Sequence, residues 1–281
     1  MIIFSGSKSG FSDAVAKKIG AESGEIKIEK FPDGEFYLKI LSDVKRQECT
    51  VIQSLNTNDS IVELLLLLDL LRDLDVKKIH TIITYLGYAR QNKRFTENES
   101  LSAKTILKLV DEFSDSIAVI NCHFLHSPGE FEFENIKIVN LDAFPLIANY
   151  FKNKLDNPIV ISPDKGSMNY ARIVAEILGC EYDYLEKERI SGEDVRTSPK
   201  RLDVADRDVL LVDDMISTGR TIILASDIIR SQNPKSIRIA CVHGVFSKGV
   251  IDNVVCTDTI QTEVSRISVT DLIADYLMSL E

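Results

Sequence analysis

The chain has 281 residues, 44% of them hydrophobic and 27% charged, a globular composition that excludes a disordered polymer and suits one large or two medium domains. A net charge of −10 excludes holding nucleic acid through a general positive field, although it leaves room for a local basic pocket that takes a phosphorylated metabolite. Cys49, Cys122, Cys180, Cys241 and Cys256 are odd in number and lack C-x-x-C spacing, so they read as thiols of a reducing cytosol and the protein is expected in the cytoplasm.

In chain order, Ile2–Ser5 reads as a first strand, not as part of a signal peptide. The following Ser5-Gly-Ser-Lys-Ser-Gly10 lacks the G-x-x-x-x-G-K-[ST] spacing of a P-loop and reads as a strand-to-helix turn. A strand over Glu25–Lys30 leads into Phe31-Pro-Asp-Gly-Glu35, a turn with an aromatic and two acids near its tip. Thr50–Gln53 is a strand and Ser60–Leu74 a helix, whose apolar run is broken by Glu63, Asp69, Arg72 and Asp73 and is too short to span a bilayer. The strand Lys78–Thr84 opens into a loop running to Phe95 that carries Arg90, Lys93 and Arg94, cations suited to polyphosphate oxygens. Ser102–Glu112 has helical spacing. After the strand Ile117–Ile120, His123 stands just past a strand end, and with His126 it makes an H-x-x-H pair without the acids or cysteines of a zinc site. His123 reads as a hydrogen-bonding or magnesium-side group. Ile136–Asn140 is the last strand of the first half.

The second half repeats the alternation with a helix over Phe144–Lys154, a strand over Pro158–Pro163 and a helix over Asn169–Leu178. Asp164, at the tip of the loop between the last two, is a hard oxygen ligand of the kind magnesium prefers. Lys187 and Arg189 are spaced to leave one face of an extended segment. The polar stretch from Ser191 to Arg207 is mobile surface or an active-site lid. The apolar strand Asp208–Val212 then meets Asp213-Asp-Met-Ile-Ser-Thr-Gly-Arg-Thr221, with a helix from Thr221 onward. Loops at such carboxyl ends bind ligands in open α/β sheets. Backbone N–H groups from Ser217 to Thr221 would cradle an anion, and the two acids would face sugar hydroxyls, a magnesium ion, or both. A strand over Ser236–Val242 and a terminal helix over Val269–Leu280 complete the chain.

The Asp213–Thr221 loop resembles the phosphoribosyl-diphosphate loop of type I phosphoribosyltransferases, and with the other motifs nearly the whole chain resembles ribose-phosphate pyrophosphokinases. The resemblance implies an α/β fold of two similar type I phosphoribosyltransferase-type domains facing one another, over residues 1–141 and 142–281, each with a mainly parallel central sheet flanked by helices. The last helix is free to pack on either domain. It also implies transfer of the diphosphoryl group of Mg-ATP to ribose 5-phosphate, with Mg2+ as cofactor, in a homodimer or an assembly of dimers, and with no nucleic-acid or membrane partner. On that resemblance Phe31, Asp33 and Glu35 contact adenine, across a dimer interface, and Arg90 and Gln91, with Arg94 beside them, hold ATP. His123 and Asp164 serve magnesium, and Lys187 and Arg189 match the cations of a catalytic flexible loop. Asp213, Asp214, Ser217, Thr218, Gly219, Arg220 and Thr221 hold ribose 5-phosphate. Four positions depart from the family pattern: Asn92 for an aspartate, Ser167 for a glycine, Ser217 for an acid and Arg220 for a glycine. Two alternatives are a phosphoribosyltransferase that consumes phosphoribosyl diphosphate and a non-catalytic regulatory paralogue; intact Lys187 and Arg189 stand against the second.

Overall fold

The computed structural model describes residues 1–6, 10–189, 195–197, 201–249 and 252–280. Ser7, Lys8 and Ser9 of the first turn, and residues 190–194 and 198–200 of the polar stretch, lie outside the described residues. Two units divide the chain, one formed by Met1–Asp142 with Val269–Glu281 and the other by Ala143–Ser268.

The first unit runs β1 (Ile2–Ser5), α1 (Phe11–Ile19), β2 (Glu22–Ser23), β3 (Ile26–Lys30), β4 (Phe36–Ile40), β5 (Glu48–Ser54), α2 (Asn58–Asp73), β6 (Lys78–Tyr85), α3 (Ser102–Asp111), β7 (Ser116–Ile120), β8 (Gly129–Phe133) and β9 (Ile136–Leu141). Its sheet has the order β2-β1-β5-β6-β7-β9-β8, parallel throughout except for β8. The apolar run in α2 explains why that helix covers the sheet: Leu64, Leu67, Leu68 and Leu71 recur on one helical face and are all fully buried. Truncating any one of them to alanine costs about 2–5 kcal/mol.

The second unit runs α4 (Phe144–Phe151), β10 (Pro158–Ser162), α5 (Met168–Leu178), β11 (Glu181–Tyr184), β12 (Lys187–Arg189), β13 (Val195–Thr197), β14 (Asp208–Ile216), α6 (Arg220–Arg230), β15 (Ser236–Gly244), β16 (Val254–Thr257) and β17 (Ser265–Ile267). Its sheet, β11-β10-β14-β15-β16-β17, is wholly parallel. The last helix, α7 (Thr270–Met278), leaves this unit and packs on α1. It buries Ile273, Ala274 and Leu277, while α1 buries Phe11, Val15 and Ala16, and Lys18 pairs with Asp271 across the contact. The 142–281 span had left the place of this helix open.

The two units follow one plan. Each begins its sheet with strand, helix, strand, then makes a detached antiparallel pair, β3–β4 or β12–β13, before returning on the other side of its first strand. The strand order therefore reverses between β1 and β5 and again between β10 and β14, which are the places where open α/β sheets take ligands. β14 runs on to Ile216, past the expected end at Val212, because pairing with β15 continues to Ile216↔Gly244. Asp213 and Asp214 are thus strand residues, not loop residues, and α6 starts at Arg220, one residue before the expected Thr221. The antiparallel β8 was not anticipated. It turns into β9 through Glu134 and Asn135, both at positive φ (54° and 66°), the conformation of a two-residue hairpin turn.

Candidate functional site

At the reversal in the second unit, the loop after β10 and the end of β14 meet. Ser162 donates from Oγ to the Asp164 carbonyl at 2.9 Å, and the Ser167 N–H donates to Asp164 Oδ1 at 3.1 Å. Ser167 Oγ donates to Asp213 Oδ1 at 2.7 Å, and the Asp214 N–H reaches the same oxygen at 3.0 Å. Asp164, expected as a metal ligand, and Asp213, expected as a sugar ligand, are therefore neighbours in one cluster. Burial pushes the Asp213 carboxyl up to about 8, the charges of Asp214 and Asp164 push the same way, and the bond from Ser167 opposes them. A carboxyl so perturbed beside the end of a strand is a candidate for ligand binding.

Past β14, Ser217 and Thr218 lead to Gly219, whose φ of 77° lies in the left-handed region open to glycine without strain. Gly219 caps α6 without a side chain; the Arg220 N–H donates to Thr218 Oγ1 at 3.5 Å, and the Thr221 and Ile222 N–H groups keep their capacity for an external anion. Arg220 and Thr221 open the helix with exposed side chains. The loop is braced from β15: the N–H groups of Val245 and Phe246 donate to the Ile216 carbonyl at 3.0 and 3.1 Å, and the Ser247 N–H to the Ser217 carbonyl at 3.0 Å. Nothing in the local sequence pattern singled out Ser247.

The first-unit candidates fall into three loops. In the β3–β4 connection, the Phe31 N–H donates to the Glu35 carbonyl at 2.8 Å and the Glu35 N–H to Asp33 Oδ1 at 3.2 Å, leaving Phe31 51% exposed. The basic loop leaves β6 beside the end of β5. A side chain at Gly87 would meet the Leu55 carbonyl at 2.1 Å, so only glycine fits that crossing. Arg90 and Arg94 are exposed; Arg94 donates from Nε to the Glu99 carbonyl at 2.9 Å, and Gln91 Oε1 accepts from Ser102 Oγ at 2.9 Å. Sequence reading missed Glu99, whose carboxylate takes the Phe95 N–H at 2.7 Å and the Thr96 hydroxyl at 2.8 Å. Those bonds hold its carboxyl below the usual range. The third loop carries half-buried His123; Asn140 Oδ1 accepts the Cys122 N–H at 2.9 Å, and Asn121 donates to Asp142 Oδ1 at 3.0 Å.

Lys187 and Arg189 lie on the extended backbone of β12, paired with Thr197 and Val195 of β13, and their side chains are outside the described part. Among the described residues no group of three or more His, Cys, Asp or Glu makes a metal cage. Magnesium takes one or two carboxylates and completes its shell with water and phosphate oxygens, a demand that Asp164 fits. All five cysteines are free, and among the described residues no helix is long and apolar enough to cross a membrane.

Comparison with known proteins gives consistent matches. The family model described as the N-terminal domain of ribose phosphate pyrophosphokinase matches residues 1–113, and a phosphoribosyl transferase domain model matches residues 132–270. Ribose-phosphate pyrophosphokinase 2 of Archaeoglobus fulgidus is 38% identical over 271 residues, covering 94% of each chain. Ribose-phosphate pyrophosphokinase of Methanothermobacter thermautotrophicus is 39% identical over 289 residues, covering 99% of each. The crystal structure of phosphoribosylpyrophosphate synthetase from Mycobacterium smegmatis superimposes with a TM-score of 0.82 at 25% identity, over 99% of this chain and 98% of that one.

Proposed function

This chain belongs to the ribose-phosphate pyrophosphokinase family and acts as a ribose-phosphate diphosphokinase, and we propose that Asp213, Asp214 and the Ser217–Thr221 segment hold its ribose 5-phosphate. The observation that carries this assignment is the joining of Asp164, Ser167 and Asp213 at a strand-order reversal, next to a helix N-terminus that no side chain caps. The acids take the sugar hydroxyls. The phosphate takes the N–H groups of the loop, with Arg220 beside it.

ATP is the second substrate. Phe31, Asp33 and Glu35 hold the adenine, and Arg90, Gln91 and Arg94 hold the polyphosphate. The C1 hydroxyl oxygen of ribose 5-phosphate bonds to the β-phosphorus of ATP. The bond from that phosphorus to the α,β-bridging oxygen breaks, AMP leaves with the electron pair, and the hydroxyl proton passes to solvent. Such a transfer needs alignment and charge neutralisation more than covalent work by the protein, and Lys187 and Arg189 supply cations to the moving group. Magnesium would neutralise charge on the nucleotide oxygens; Asp164 in the second unit and His123 in the first are each proposed to serve it. The working form is a homodimer or an assembly of dimers in the cytoplasm. A phosphoribosyltransferase consuming the product would share the Asp213–Thr221 loop, but the match of residues 1–113 to the synthetase N-terminal domain weighs against it.

The test is to incubate the protein with ribose 5-phosphate, Mg-ATP and ATP labelled at the γ-phosphate. AMP and a labelled sugar diphosphate should appear in equal amounts. Release of ADP, or of label as free phosphate alone, would refute the reading.

A further inference from the structure

Serine is among the favoured residues at a helix N-cap because its oxygen accepts an N–H of the first turn, a bond worth about 1 kcal/mol. Ser167 is the N-cap of α5, yet its side chain makes no cap bond. The hydroxyl turns away from the helix and donates to Asp213 Oδ1 at 2.7 Å, while its distance to Asp164 Oδ1 is 3.5 Å. One hydroxyl proton serves one acceptor well, so the shorter contact has it. Asp164 is held instead by the Ser167 N–H at 3.1 Å. Ser167 is 8% exposed, so water does not compete freely for these bonds. Asp213 Oδ1 receives a second bond from the Asp214 N–H, and among the described residues no hydrogen bond reaches Oδ2.

We propose that Ser167 is a positioning residue for the sugar site: by occupying Asp213 Oδ1 it fixes the carboxylate so that Oδ2 is presented to a ribose hydroxyl, and through its backbone it sets Asp164 in register with that carboxylate. This rests on the ribose 5-phosphate reading above. The residue touches no substrate atom and acts through Asp213. A carboxylate tethered at one oxygen has lost most of its rotational freedom before the sugar arrives, so less entropy is lost on binding. In Ser167→Ala only the Asp214 N–H still holds Oδ1, so the carboxylate gains rotational freedom and sugar binding bears the cost.

The experiment is calorimetric titration of ribose 5-phosphate into the metal-free full chain, with steady-state kinetics beside it, for wild type, Ser167→Ala and Ser167→Thr. Ser167→Ala should weaken ribose 5-phosphate binding and raise its KM about tenfold, with the KM for ATP unmoved. Ser167→Thr, which keeps the hydroxyl, should recover most of the lost affinity. In an Asp213→Ala background, which removes the acceptor, the alanine change at Ser167 should add nothing further to the rise in KM, as expected if Ser167 works only through Asp213. If wild type binds ribose 5-phosphate and Ser167→Ala binds it equally well, or if both Michaelis constants rise together, the positioning role is refuted and the sugar site stands. If wild type does not bind ribose 5-phosphate at all, the site assignment falls and this role falls with it.

Discussion

The crevice between β10 and β14 has a counterpart between β1 and β5, built by the same chain path and filled differently. Pairing of Ser5 with Ile52 in one unit, and of Ile161 with Leu211 one step before the corresponding place in the other, puts Gln53 where Asp213 stands. Gln53 is 3% exposed and donates from Nε2 to the Ser60 carbonyl at 2.9 Å and to Glu63 at 3.2 Å, closing the strand end onto α2. The helix that follows is also closed. Thr57 and Ser60 form a reciprocal capping box at the start of α2, which consumes donors that α6 leaves open behind Gly219. Topology offers two equivalent positions, and among the described residues side chains fill one and leave the other as the candidate sugar site.

The largest contrast is expected between the detached antiparallel pairs. On the proposed roles, Lys187→Ala, on β12, deprives the transferring group of a cation and should lower kcat a hundredfold or more, a loss of about 3 kcal/mol, with small changes in KM. Phe31→Ala, in the β3–β4 turn, removes an exposed aromatic proposed to hold the adenine, a non-reacting part of ATP, so it should raise the KM for ATP and spare kcat. Steady-state kinetics on both variants checks this. Near-normal turnover in Lys187→Ala would mean that the two pairs do not divide chemistry from recognition.

Much of this division was legible in the residues. Apolar runs fixed β1, β6, β10 and β15 to within a residue or two at each end, because buried parallel strands need continuous hydrophobic sequence. The acid pair, the basic loop and Asp164 were visible because strand ends followed by polar loops stand out against those runs. Asp164 and Asp213 are 49 positions apart, and their meeting through Ser167 was not legible, because it depends on β14 returning to the far side of β10. Glu99 was equally hidden: its work is done through the Phe95 N–H and the Thr96 hydroxyl, and a single acid in a polar turn carries no period. The extension of β14 through Asp213 and Asp214 defeated the pattern because carboxylates in a central strand run against composition, which is the signature of a site.

The helix N-termini give a sharper and smaller contrast. Gly219→Ala forces a side chain into the left-handed region at about 1–2 kcal/mol, and strain placed on the cradle should raise the KM for ribose 5-phosphate about tenfold. Thr57→Ala at the start of α2 should cost about 1 kcal/mol of stability, seen as a lower denaturant midpoint, with kinetic constants unmoved. A change in either Michaelis constant for Thr57→Ala would show that the first-unit crevice is not merely a closed relic of the shared plan.

The last contrast is read first in stability. Asp213 titrates near 3.8 in an unfolded chain and is raised to about 8 in the fold, so between those values the folded protein holds a proton that the unfolded chain releases. Stability from this group therefore falls as pH rises through that window and levels off above it. Gln53 carries no such charge at the equivalent position, and Asp213→Asn copies that neutrality. With metal and ligands removed, the variant should melt at the same temperature as wild type near pH 4 and at a higher temperature near pH 8, by about 3 °C for each kcal/mol of burial cost relieved. On the proposed site the same change removes a sugar ligand, so the gain in melting temperature should accompany a loss of ribose 5-phosphate binding. A melting curve for Asp213→Asn that tracks wild type at every pH would mean the carboxylate is already compensated in the ligand-free protein, and the second crevice would then be as closed as the first.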